Sequence, residues 1–296
     1  MADTIIGKNV LESLTRSMYA DSRCIYREYI QNAADQIDAA KLMYPELEYS
    51  VFVKIDPISR NIIIEDDATG VSSKDIKRLL IDVARSPKMR GINKGFRGIG
   101  RLGGLAYCKT LKFEPSYFDE DIVSIVTWDA VRLTQILDND DDDRDAGSVI
   151  DEVVKISKEQ KEEHCDKHYF RVIMEDVTDD KLLNEKDIRD YLAMVAPVDY
   201  SNHFAYRRDI YNFMKEKNLH LDCYNIYVGD SQLSKDYTMS ILDQSGQIED
   251  TITGIEFWYE TNSEGLPMYW GWYSISSLKG ILNKTKTEWF PTPFFY

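Results

Sequence analysis

Between residues 10 and 43 apolar positions recur at spacings of three and four, no Gly or Pro intervenes, and the pattern weakens only around 20–22. That spacing predicts two successive helices, closed by Pro45. Residues 49–55 alternate between apolar and polar, 56–61 carry the Asp, Pro, Ser and Asn of a turn, and 62–65 are a second extended run, so a hairpin is expected. Residues 72–83 read as a helix capped by Ser72 or Ser73, with Ile76, Leu79, Leu80 and Val83 as its buried stripe. A Gly- and Lys-rich stretch follows over 85–104, and 102–106 has the look of a helix start. Three strand-like runs, at 109–114, 122–129 and 169–174, would complete an antiparallel or mixed sheet.

After residue 180 the texture changes. Helices are expected at 185–194 and 204–216, and strands at 224–228 and 254–259. The reading is an α+β protein of two domains, 1–180 and 181–296, with no internal repeat.

Composition narrows the classes. The 296 residues are 43% hydrophobic and 12% aromatic with 19 Tyr, enough to fill one large core or two ordinary ones and far from the make-up of a disordered chain. The formal net charge of -15 repels phosphate backbones and does not favour nucleic acid as a partner. The acidic run at 138–145 reads as a solvated loop rather than a metal cluster. Cys24, Cys108, Cys165 and Cys223 are far apart with no CxxC pair, so reduced thiols are expected rather than zinc or a disulfide framework. Neither a secretory signal nor an apolar run of about 18 residues is present, so no membrane association is expected and the location read from the sequence is cytoplasmic.

Three segments carry candidate chemistry. In REYIQNAADQIDAA, Glu28, Asn32 and Asp35 stand at i, i+4 and i+7 on one arc of a helix, with Tyr26, Ile30, Ala33 and Ile37 opposite. Taken alone, that is also an ordinary amphipathic helix. In IIIEDDATG, Asp66 stands at the mouth of a strand, where a carboxylate can accept a hydrogen bond from an exocyclic amine such as adenine N6, and Gly70 permits close backbone approach. The same residues also suit a simple turn. In KGFRGIGRLGG, Gly95, Gly98 and Gly100 have a G-x-x-G-x-G spacing ahead of a helix, a backbone cradle suited to phosphates, with Lys94, Arg97 and Arg101 adding positive charge. A hinge loop would look alike, and the segment fits neither a Rossmann fingerprint nor a P-loop.

Taken in order, EYIQNAAD, DDATG and GFRGIG resemble the three nucleotide boxes of the GHKL superfamily, named for gyrase, the ninety-kilodalton heat-shock chaperones, histidine kinases and MutL. The resemblance covers residues 1 to about 180 and lies nearest the chaperone and microrchidia branch. It implies a Bergerat-fold α/β sandwich, a mixed and mostly antiparallel sheet covered by helices, followed by a second, transducer-like α/β domain. It further implies ATP and Mg2+ as cofactors and ATPase activity. Glu28 would orient and activate the attacking water, Asn32 would coordinate magnesium, Asp35 would shape the pocket floor, Asp66 would recognise adenine and Gly70 would let the base lie close. Lys94, Gly95, Phe96, Arg97, Gly98, Ile99 and Gly100 would wrap the phosphates, while Ser86 and Lys88, in ARSPK, would belong to the lid. Lys279, or Lys284 or Lys286 nearby, would reach the terminal phosphate from the second domain.

Two departures stand out: Ala68 replaces the first glycine usual in the second box, and the threonine common on a late strand has no counterpart around 168–171. His164, His168, His203 and His220 all follow the boxes and none sits in an acceptor helix, which argues against a histidine kinase. The expected function is an ATPase switch that closes a lid and pairs two protomers, chaperone-like or part of a defence or stress system. The alternatives are a weakly hydrolysing, nucleotide-gated module that recruits a protein partner or effector, and a DNA-repair ATPase of MutL type. The aromatic end WFPTPFFY is expected to pack back on the second domain or to continue into a longer chain.

Overall fold

The computed structural model describes residues 6–15, 20–83, 100–118, 120–161, 168–235, 240–242 and 248–276. Within it the chain divides into two compact units. The first comprises residues 1–196 together with 224–233, and the second comprises 197–223 together with the residues from 234 onward. The division is therefore not a single cut near residue 180: residues 181–196 belong to the first unit, and a later strand returns to it.

The first unit opens with helices α1 (Asn9–Thr15) and α2 (Cys24–Met43). Their separation follows from Asp21, whose carboxylate accepts the Arg23 backbone N–H at 3.0 Å and grips the Arg23 guanidinium, so the chain turns before α2 begins. Strands β1 (Ser50–Asp56) and β2 (Asn61–Asp66) form the expected hairpin. The Asp56 carboxylate ties the turn by accepting from the Ile58 and Ser59 backbone N–H groups, and Arg60 takes a left-handed conformation at φ 56. Strands β3 (Thr110–Ser116), β4 (Ile122–Asp129), β5 (Val154–Gln160) and β6 (Tyr169–Glu175) extend the sheet. Helices α3 (Ala130–Leu137) and α4 (Ala146–Val153) lie between β4 and β5, and α5 (Glu185–Val195) follows β6. Strands β7 (Asn225–Val228) and β8 (Ser231–Gln232) complete an eight-stranded sheet of order β5-β4-β3-β6-β2-β1-β7-β8. Every pairing is antiparallel except β1 with β7, so the sheet is mixed and mostly antiparallel, as expected.

One face of this sheet is dry. Val51, Val53, Ile62, Ile64, Leu111, Phe113, Val126, Trp128, Val172, Met174, Ile226 and Val228 are buried on it, and α2, whose Ile30, Ala33 and Ile37 are buried, packs against β1 and β2. Burying each large aliphatic side chain stabilises the unit by roughly 1.5–3 kcal/mol before entropy is counted. The opposite face carries Glu65, Glu114 and Arg171, where Arg171 is held between the two carboxylates and lies over the Tyr169 ring. In the acidic run past α3, Asp142 pairs with Arg144 and Asp145 caps α4 by accepting from the Ser148 N–H, while Asp140, Asp141 and Asp143 are exposed.

The second unit is built on α6 (Arg207–Glu216) and a three-stranded sheet of β9 (Ser240–Leu242), β10 (Ile248–Thr261) and β11 (Pro267–Ser276). Its core is aromatic. Tyr200, Phe204, Ile210 and Met214 gather Phe257, Trp270 and Trp272 around them, and Phe213 stacks on Phe257 at 4.3 Å between centroids. Among the described residues no helix is long and apolar enough to cross a membrane.

Candidate functional site

Helix α2 presents the sided arrangement that its spacing predicts. Tyr26, Ile30, Ala33 and Ile37 are buried, Glu28 and Asn32 are half-buried, and Asp35, at 5% exposure, is enclosed. A carboxylate that far from water is at home only among polar partners or beside a polar cavity. Glu28 is not idle: its Oε1 accepts from Arg27 Nη2 at 3.0 Å. Burial works against the Arg27 charge, yet the Glu28 carboxylate outweighs it and holds the guanidinium above its ordinary pKa.

The end of the glycine-rich segment meets this helix. Gly100 opens a 3-10 turn, Gly100–Ala106, and a Cβ at Gly100 would fall inside van der Waals contact of Glu28 Oε2. Only a residue without a side chain lets the backbone run so close to that carboxylate. The turn is anchored by buried Leu102 and Leu105 and by Tyr29 of α2, which donates to the Arg101 carbonyl at 3.1 Å and accepts from the Gly104 N–H at 3.0 Å. One phenol thus fixes the glycine turn to the helix that bears Glu28 and Asn32.

Arg101 has a structural task. Its Nη2 donates to the Asp82 carbonyl at 2.7 Å, tying together two residues that flank 84–99, and burial pulls its pKa down to about 10 against the opposing pull of Asp82. On the near side of that segment the expected helix is a short, wide turn, Lys77–Ile81, in which the Asp82 N–H reaches the Lys77 carbonyl five residues back. Ile76 and Leu80 are buried as expected, while Leu79 and Val83 are only half-buried. The wider winding redistributes the stripe, since five-residue hydrogen bonds rotate side chains off the 3.6-residue register.

Asp66 closes β2 with 3% exposure, and its Oδ1 accepts from the Ala68 N–H at 3.2 Å. It projects from the same face as Ile62 and Ile64, toward the layer containing α2. Across the ladder it stands beside Phe170, so the neighbouring strand offers a benzyl group where a hydroxyl was sought. Asp67 accepts from the Ser50 N–H at 2.7 Å, and burial raises its carboxyl pKa. Gly70 adopts φ 69, and the direction a Cβ would take is filled by the Ser116 and Tyr169 carbonyls, so glycine is required there by the turn and by the strands beneath it. His168, beside it, contacts the Ala68 carbonyl through Nδ1.

Of the sequence-derived site residues, Glu28, Asn32, Asp35, Asp66, Gly70 and Gly100 are described. Glu28 and Gly100 meet directly, and Asp66 belongs to the strand facing the helix of Asn32 and Asp35. Ser86, Lys88, Lys94, Gly95, Phe96, Arg97, Gly98, Ile99 and Lys279 lie outside the described residues. Sequence reasoning did not single out Tyr29 or Arg27. Tyr29 stands four residues after Ile25 and four before Ala33, a buried-stripe position where a phenol signals a hydrogen-bond partner in the core. Among the described residues no group of three or more His, Cys, Asp or Glu is arranged to hold a metal.

No family model matches the chain. It is 26% identical over 136 residues, 41% of its length, to the chaperone protein HtpG of Shouchella clausii, of which the match covers 20%. It is 29% identical over 92 residues to the chaperone protein HtpG of Rickettsia typhi, covering 28% of this chain and 15% of that protein. The matches thus span a fifth or less of the length of the curated relatives.

Proposed function

We propose that the first unit binds ATP with magnesium and hydrolyses it, as a chaperone-like ATPase of GHKL type. The reading rests chiefly on the meeting of Glu28 with Gly100, which brings a candidate base against the terminus of a glycine-rich segment suited to phosphates. The partial likeness to a chaperone and the order of the three boxes along the chain support it.

The residues fit the cofactors chemically. Magnesium keeps much of its water and takes hard oxygen ligands, so a single amide oxygen from Asn32, with no acidic cage, is an adequate protein contribution. Bound there with ATP, it would supply charge neutralisation at the phosphates. Asp66 would accept the exocyclic amine of adenine, and Asp35 would border the base. Glu28 would orient a water and take its proton, a role worth roughly 10²- to 10⁴-fold in rate. Closure of a lid between Val71 and Lys94, a phosphate contact from Lys279 and nucleotide-gated pairing of two protomers complete the proposal.

The test is Glu28→Ala, with ATP binding followed by calorimetry and turnover by phosphate release. Binding should persist while turnover disappears; turnover that survives removes Glu28 as the base. A second reading, a nucleotide-gated recruiter of a protein partner that hydrolyses little, draws on the Arg27 guanidinium already engaged with Glu28. It predicts negligible phosphate release from the wild-type chain despite tight ATP binding.

A further inference from the structure

Among the described residues, strand β5 ends the large sheet and no strand pairs with its far side. Val154 is half-buried, the other six residues are exposed, and Ile156 shows 50% of its surface. The direction of its backbone groups follows from the ladder. The Lys161 N–H donates to the Asp121 carbonyl in continuation of the β4–β5 register, so residues 155, 157 and 159 bond inward to β4. The opposite side of β4 agrees, since the Ala130 N–H donates to the Lys109 carbonyl beside β3 and assigns even-numbered β4 residues to that neighbour. Ile156, Lys158 and Gln160 therefore aim both N–H and C=O away from the sheet. The Val154 N–H is occupied by the Ile150 carbonyl of α4, which leaves its carbonyl outward.

Lysines commonly guard such an edge against indiscriminate pairing. Here one symmetrical register opposes unlike charges within the strand itself; an axis on Gln160 would instead call on Lys161, whose ammonium donates to the Tyr117 carbonyl at 2.9 Å. Lys155, Lys158 and Glu159 enter none of the ion pairs among the described residues, and with Ser157 on a two-fold axis Lys155 would stand opposite Glu159 of the partner subunit, twice. Moving the axis to Lys155 or Lys158 opposes like charges, and moving it to Ile156 leaves all of them uncompensated. The Ser157 register also satisfies the backbone: Ile156 would exchange hydrogen bonds with Lys158 of the partner subunit, while the Lys155–Glu159 pair falls at the non-hydrogen-bonded positions where side chains approach most closely. The exposed Ile156 would then be covered by the aliphatic stem of the facing lysine.

We infer that β5 is a self-complementary docking edge through which two copies of this chain join antiparallel strands about Ser157, independently of nucleotide. The test is sedimentation velocity without nucleotide up to roughly 0.2 mM, a range suited to a small interface. The wild-type chain should shift toward twice the protomer mass as concentration rises. Lys155→Glu and Glu159→Lys should each hold it monomeric, and the double exchange should restore pairing. Ile156→Pro should also remain monomeric with little change in melting temperature, because the N–H it removes does not bond to β4. A wild-type chain that stays monomeric throughout, single exchanges that pair as well as wild type, or a double exchange that fails to recover pairing would each overturn the inference.

Discussion

The backbone of Gly100 passes so close to Glu28 Oε2 that no side chain fits between them. The obstacle is the mobile end of a glutamate rather than a backbone atom, so Gly100→Ala should be accommodated by displacing the carboxylate. Under the proposed function, the expected outcome is a fold destabilised by less than about 1 kcal/mol but a turnover reduced by at least roughly tenfold, since a small misplacement of a positioned group is costly. Thermal melts alongside phosphate release separate the two effects.

Tyr29 should behave as a positioning residue. Tyr29→Phe leaves the ring in place but strips the acceptor from the Gly104 N–H and the donor from the Arg101 carbonyl. A buried unsatisfied group costs about 1–3 kcal/mol, so urea denaturation should report a loss of that order. A midpoint unchanged from wild type would mean the phenol does not hold the turn.

At Asp66 the fold and the ligand can be tested apart. Asp66→Asn keeps an oxygen for the Ala68 N–H but no longer offers a full carboxylate to an exocyclic amine. Under the proposed function, calorimetry should record an affinity for adenine nucleotides at least about tenfold weaker, with the melting temperature nearly unchanged. Unaltered binding would place the base elsewhere.

Asp21, which starts α2, supplies a pH dependence. The hydrogen bond from the Arg23 side chain, opposed by burial, lowers its carboxyl pKa below 3.8. A group with a depressed folded pKa lends stability that is complete above the unfolded value and drains as pH falls through the folded one. Asp21→Asn should therefore melt earlier than wild type at neutral pH, by an amount that screening keeps under about 1 kcal/mol, and the two curves should converge below pH 3.8. Parallel curves at every pH would exclude the ion pair as the source.

Periodicity revealed α2, the β1–β2 hairpin, β3, β4, β6 and α5, because each buries one face against a common layer and repeats that demand in its sequence. It did not isolate β5, whose exposed residues carry no alternation of burial, nor α3 and α4, each only eight residues long. The acidic face of α2 and Asp66 were legible because carboxylates are conspicuous beside apolar neighbours. Arg101 shows the reverse: its charge draws attention to phosphate, while its guanidinium donates to the Asp82 carbonyl, a partner no one-dimensional pattern announces.

Strand β7 lies in the middle of the chain's second half yet sits parallel to β1, and Tyr224 just before it donates to Asp38 of α2 at 2.6 Å. A fragment trimmed after residue 196 would lose both the neighbour that seals β1 and the phenol that steadies the helix of Glu28. The smallest autonomous version of the first unit therefore has to be made by excising 197–223 and splicing a short loop across the gap, not by shortening the gene from one end.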